Sequence, residues 1–159
     1  MTYYHRFDCT SFNFNALCAG DMNHESVVIV LHGLTVCKEA QRNELERLAN
    51  SGYFAVAFDA PHHGERKTGV VELMHHMQPY DRHHLMMGFV IQHAAEISEF
   101  IKMFKKQGKK VAVVGISMGA HTTFALIRRK HKPDFVASFL GAADFRARDL
   151  DFETPTSFI

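Results

Sequence analysis

The chain has 159 residues, 47% hydrophobic and 22% charged, with a formal net charge of +1 at pH 7, which suits one domain with a substantial core. So even a charge balance excludes electrostatic capture of nucleic acid or of an anionic membrane and leaves a small molecule or a protein as partner. Cys9, Cys18 and Cys37 are scattered without a C-x-x-C pair; with no leader-like stretch and no apolar run near the roughly 18 residues of a membrane span, they point to the reducing cytoplasm.

Residues 2 to 19 alternate loosely between apolar and polar and predict one or two antiparallel edge strands. After a turn at residues 20 to 23, the branched run SVVIVL from Ser26 to Leu31 predicts a strand covered on both faces and ending at His32-Gly33. Lys38 to Asn50 predicts a helix with Leu45, Leu48 and Ala49 inward and its charges elsewhere, closed by Gly52. Tyr53 to Phe58 is the next strand, ending at Asp59. Residues 60 to 80, with Pro61, Gly64, Gly69 and Pro79, read as loop or lid around a short helical piece at Val71 to Met77. Asp81 is placed to cap a long helix reaching about Lys106. Met118 to Lys132 predicts another helix, with Arg128, Arg129 and Lys130 at its negative end. Phe135 to Leu140 is a last apolar strand before an aperiodic tail.

Four strands thus alternate with three crossover helices from residue 26 onward, predicting an α/β fold with a doubly wound, mostly parallel sheet in a single domain over residues 1–159. In such sheets chemistry gathers at the carboxyl ends of the strands. His32-Gly33, Asp59 and Ser117 all fall there.

The sharpest signal is VAVVGISMGA, Val111 to Ala120, an apolar strand running into Gly115-Ile116-Ser117-Met118-Gly119 and then a helix. That is the setting of a G-x-S-x-G nucleophile elbow, in which a serine on a strained strand-to-helix turn projects its hydroxyl towards substrate. Gly115 and Gly119 supply the side-chain-free contacts that the close approach of helix and strand demands. Met118 opens the helix, so its amide is an unpaired donor at the positive end of the dipole.

Taken together, HGLTVCKE, DAPHHGER and GISMGA resemble, in order and spacing, the loops after the third, fourth and fifth strands of the α/β-hydrolase superfamily. The likeness is greatest to small bacterial carboxylesterases of the dienelactone-hydrolase or prolyl-oligopeptidase-like group and spans about residues 26 to 145. It implies a serine hydrolase acting on small esters without a cofactor. Ser117 would be the nucleophile, the amides of Leu34 and Met118 the oxyanion hole, and Asp59 an architectural residue of the pocket floor. His32 and His63 would order their own loops.

The chain also departs from the superfamily pattern, in which an acid and then a histidine follow later strands. No histidine follows His131, and the chain stops after what counts as the sixth strand, leaving a hydrophobic sheet edge that favours pairing between copies. The preferred explanation is an amino-terminal part of a longer hydrolase that lacks the last two strands; the second is a degenerate member without a triad. Asp144 is the one acid placed as a candidate. His121, one turn beyond Ser117, reads as a helix histidine out of line with the hydroxyl. The pairs His62-His63, His75-His76 and His83-His84 lack metal-ligand spacing and read as solvated, so no metal is expected. Cys37 reads as a buried or idle thiol. A peptidase or thioesterase on the same scaffold, or a silent binding protein, are the rival readings.

Overall fold

A computed structural model of the chain describes residues 1–9 and 12–141. Six strands form one sheet: β1 (Thr2–Cys9), β2 (Phe12–Ala19), β3 (Ser26–Leu31), β4 (Phe54–Ala57), β5 (Lys110–Ile116) and β6 (Phe135–Phe139). Their order is β1-β2-β4-β3-β5-β6. The first two strands pair antiparallel with each other and β2 antiparallel with β4, while β4, β3, β5 and β6 run parallel. The expected mostly parallel α/β sheet with an antiparallel edge is therefore observed.

The alternation of side chains along β3 sends Val27, Ile29 and Leu31 to one face and Val28 and Val30 to the other, and all five are buried. Helix α1 (Arg42–Asn50) covers the second face through Leu45, against Leu17, Ala55 and Ala57. A short helix α2 (Val70–Leu73) precedes the 28-residue α3 (Pro79–Lys106), and α4 (Met118–Ile127) follows β5. Together α3 and α4 cover the first face: Phe100 stacks on Phe58 with ring centroids 4.0 Å apart, and Phe7 meets Phe58 and Phe104 edge-on at 5.9 and 5.6 Å. The apolar runs thus become central strands because helices remove both of their faces from water.

Several boundaries differ from expectation. The helix expected over Lys38–Asn50 is a 3-10 turn, Lys38–Gln41, followed by α1, because Lys38 turns inward and is wholly buried. Helix α3 starts at Pro79 with Gln78 before it, not at an Asp81 cap; proline needs no amide partner at a first helical position. Helix α4 ends at Ile127, so Arg128, Arg129 and Lys130 lie beyond its last turn, where Arg129 donates to the Ile91 carbonyl at 3.1 Å. Strand β6 is the last of the described sheet and only partly covered: Phe135 and Phe139 are 69% and 56% exposed. Among the described residues no helix is long and apolar enough to cross a membrane.

Candidate active site

Ser117 occupies the turn between β5 and α4 with φ 55° and ψ −115°, a conformation that L-residues rarely adopt. Its side chain is exposed, whereas Met118, Gly119 and Ala120 behind it are buried. The turn closes this tightly because its glycines allow it. A Cβ on Gly115 would stand 2.2 Å from the Gly119 carbonyl oxygen, and one on Gly119 would stand 2.3 Å from that of Leu31. The Ser117 amide donates to the Phe139 carbonyl at 2.8 Å, which ties the turn to β6.

The loop after β3 comes up against this turn. A Cβ on Gly33 would lie 3.4 Å from Ser117 Cβ and 3.9 Å from its Oγ, so Gly33 faces the serine, with the half-buried Leu34 next in the chain. The elbow and the His-Gly loop are therefore neighbours, and Met118 opens α4 beside them. His121, in the first turns of α4, instead meets the His83 ring at 6.5 Å and gives Ser117 only a backbone hydrogen bond, from its amide to the serine carbonyl at 3.2 Å. Asp144 lies outside the described residues.

Behind the loop stands a polar framework. His32 is fully buried; its Nδ1–H donates to the Gly33 carbonyl at 2.7 Å and its Nε2 accepts the Ala60 amide at 3.0 Å, which fixes the tautomer. Asp59 accepts the Lys38 amide on Oδ1 at 2.9 Å, and the Lys38 ammonium and Glu65 amide on Oδ2 at 2.6 and 3.1 Å. Gly64 makes room for this carboxylate, since a Cβ there would be 2.2 Å from Oδ1. Arg66 donates to the Asp59 carbonyl and forms a bidentate pair with the buried Glu96 of α3, at 2.7 and 2.8 Å. Asp59 is thus architectural in its contacts.

Three histidine rings collect beneath the loops. His32 lies 5.2 Å from His63 and 6.5 Å from His93, centroid to centroid. His63, expected in solvent, is only 4% exposed; its Nδ1–H donates to the Pro61 carbonyl and its Nε2 has no partner. His75, His76, His83 and His84 are exposed as expected. His93 was not legible as a site residue, although its place between Val90 and Ile97 on the apolar stripe of α3 marks it as inward. Burial lowers the pKa of all three, that of His93 most, so they are neutral near pH 7.

Cys37 is half-buried, and burial first and its bond to Glu39 second push its thiol pKa up, which leaves it a poor nucleophile. Among the described residues, Cys37, Glu39 and Asp59 alone cluster like metal ligands, within 4.8 Å of one another. The Lys38 ammonium stands among them, 2.6 Å from Asp59 and 3.3 Å from Glu39. A cavity of about 180 Å³ opens between Thr35–Cys37 and His62–Gly64, and Ser117 does not line it.

The dienelactone hydrolase family matches residues 14–156. The chain belongs to the dienelactone hydrolase family. Within curated proteins, this dienelactone hydrolase family chain is 32% identical over 107 residues to the esterase-named YitV of Bacillus subtilis (strain 168), a match covering 64% of this chain and 38% of YitV. TT1662 from Thermus thermophilus shares the fold with a TM-score of 0.63 and 22% identity, over 86% of this chain and 55% of that one. The thioesterase domain from the curacin biosynthetic pathway does so with a TM-score of 0.60 and 22% identity, over 86% and 43%. Epoxide hydrolase A from Mycobacterium thermoresistibile gives 0.63 and 15%, over 87% and 39%. At these identities the structures establish the α/β-hydrolase fold alone, and this chain spans from about two fifths to just over half of its relatives' lengths.

Proposed function

We propose that the protein is a serine hydrolase of small carboxylic esters, with Ser117 as nucleophile. The observation that carries this is the Ser117 backbone, a non-glycine residue at φ 55° that opens a ten-residue helix and exposes its side chain beside Gly33. Strain of this kind persists only where surrounding packing imposes it, and it gathers at functional sites. The serine Oγ attacks the ester carbonyl carbon, the bond to the leaving alcohol breaks, and water then releases the acid from the acyl-enzyme. The Leu34 and Met118 amides donate to the oxyanion; one such donor is worth about 100- to 1,000-fold in rate. The ester substrate is carried over from the esterase-named relative.

Among the described residues no side chain hydrogen-bonds the Ser117 hydroxyl, so this reading takes the proton acceptor from outside them. The same feature favours a silent binding protein as the second reading. Labelling of the whole protein with a fluorophosphonate, beside its Ser117→Ala variant, separates the two. An adduct on the Ser117 peptide that the variant loses supports the hydrolase; a folded protein that takes no adduct, or a variant that labels equally, overturns it.

A further inference from the structure

The loop from His32 to Lys38 is pinned at both ends to two consecutive residues just beyond the end of β4, Asp59 and Ala60. At its start, His32 Nε2 accepts the Ala60 amide at 3.0 Å. At its end, Lys38 reaches Asp59 twice, through its amide to Oδ1 at 2.9 Å and its ammonium to Oδ2 at 2.6 Å. Between the pins, Thr35 has φ 72°, an outlying conformation for a β-branched residue. A short loop holds such a residue only when its ends are over-determined.

Lys38 is fully buried, out of reach of bulk solvent, so its charge needs partners within the protein. Its ammonium sits at 2.6 Å from Asp59, 3.2 Å from Glu65 and 3.3 Å from Glu39. Tyr4 donates its hydroxyl to Glu39 at 3.2 Å, and Asn15 its amide to Glu65 at 3.1 Å. The antiparallel strands β1 and β2 therefore hold two of the three carboxylates in place. Burial acts to lower the Lys38 pKa, but the bond and charge of Asp59, with Glu65 and Glu39, outweigh it and hold the pKa raised. The ammonium fills the place among Cys37, Glu39 and Asp59 that a cation would otherwise take.

We propose that Lys38 is a positioning residue, an internal cation that locks the loop carrying Leu34 in its strained form against Ser117 and so presets the oxyanion donor. This rests on the serine-hydrolase reading for its consequence in catalysis, though not for the locking itself. Lys38 touches no substrate. Its effect passes through its contacts with Asp59 and the main chain of the loop.

The test uses the whole protein and two readouts, amide hydrogen exchange across residues 33–37 and turnover of p-nitrophenyl acetate. Lys38→Met should speed exchange in the loop at least about tenfold while β5 and α4 keep their protection, and lower kcat about 100-fold with KM nearly unchanged. In Lys38→Ala, added ethylammonium should restore both loop protection and kcat, because it returns the charge without the tether. Should Lys38→Met not fold, the amine series on Lys38→Ala carries the test. Unchanged loop exchange, a loss in KM alone, unprotection spread over the whole sheet, or no response to the amine each overturn the proposal. If the wild-type protein forms no Ser117 adduct, the hydrolase reading falls, and loop exchange with its amine response still decides whether Lys38 locks the loop.

Discussion

Gly33 faces Ser117 so closely that a Cβ on the glycine would stand 3.4 Å from the serine Cβ, an ordinary contact, yet 3.9 Å from the hydroxyl oxygen. The space in front of the hydroxyl is thus bounded by a main chain without a side chain. Gly33→Ala should fold with unchanged stability, whereas Gly33→Leu should slow fluorophosphonate labelling by about 100-fold, the scale that a misplacement of about 1 Å produces. Labelling rates with thermal unfolding of the same variants check this, and equal labelling of the leucine variant would contradict it.

The glycines behind the elbow behave differently. A Cβ on Gly119 meets the Leu31 carbonyl oxygen at 2.3 Å and that of His32 at 2.9 Å, and both are backbone atoms that cannot step aside. Gly119→Ala should therefore cost about 1–3 kcal/mol or more through overpacking. Urea denaturation measures the loss, and Gly115→Ala, with its contact at 2.2 Å from the Gly119 carbonyl oxygen, should behave alike.

The ion pair between the half-buried Arg66 and the buried Glu96 is another point of fragility. Glu96 is 2% exposed and accepts both bonds of the guanidinium, with Gln92 donating a third at 3.2 Å. Arg66→Ala leaves that carboxylate buried without its cation, which should cost about 3–5 kcal/mol. Replacing both partners by apolar residues should cost much less. A double-mutant cycle on unfolding free energies reads the difference, and additive losses would refute the coupling.

Acid should destabilise the protein through the histidine cluster. His32, His63 and His93 all have native pKa values below the ordinary 6.5, burial being the first cause. The unfolded chain therefore binds more protons, so the stabilisation is complete above about pH 6.5 and is lost as pH falls below it, at up to about 1.4 kcal/mol per pH unit for each ring. Arg66 lies near enough to His63 and His93 to add to the effect, while Asp59 opposes it at His32 and His63. Unfolding temperatures between pH 7.5 and pH 5 check the slope, and His93→Phe should flatten it. An equally steep profile in that variant would remove His93 from the account.

What the chain's own order of residues determined is local. The branched runs of β3 and β5, the glycines at 115 and 119 around Ser117, and the alternation of strand and helix depend on near neighbours, and they carried the fold and the elbow. Only the tertiary structure decided which polar groups lie inside. Lys38, placed by its pattern among the outward charges of a helix, is buried because Asp59, 21 residues away, meets it with a carboxylate. Glu96 is buried because Arg66 comes to it across 30 residues. His63 went inward with its loop. Burying a charge is unfavourable unless a partner compensates it, and a partner so distant in sequence leaves no periodic mark on the segment that carries the charge.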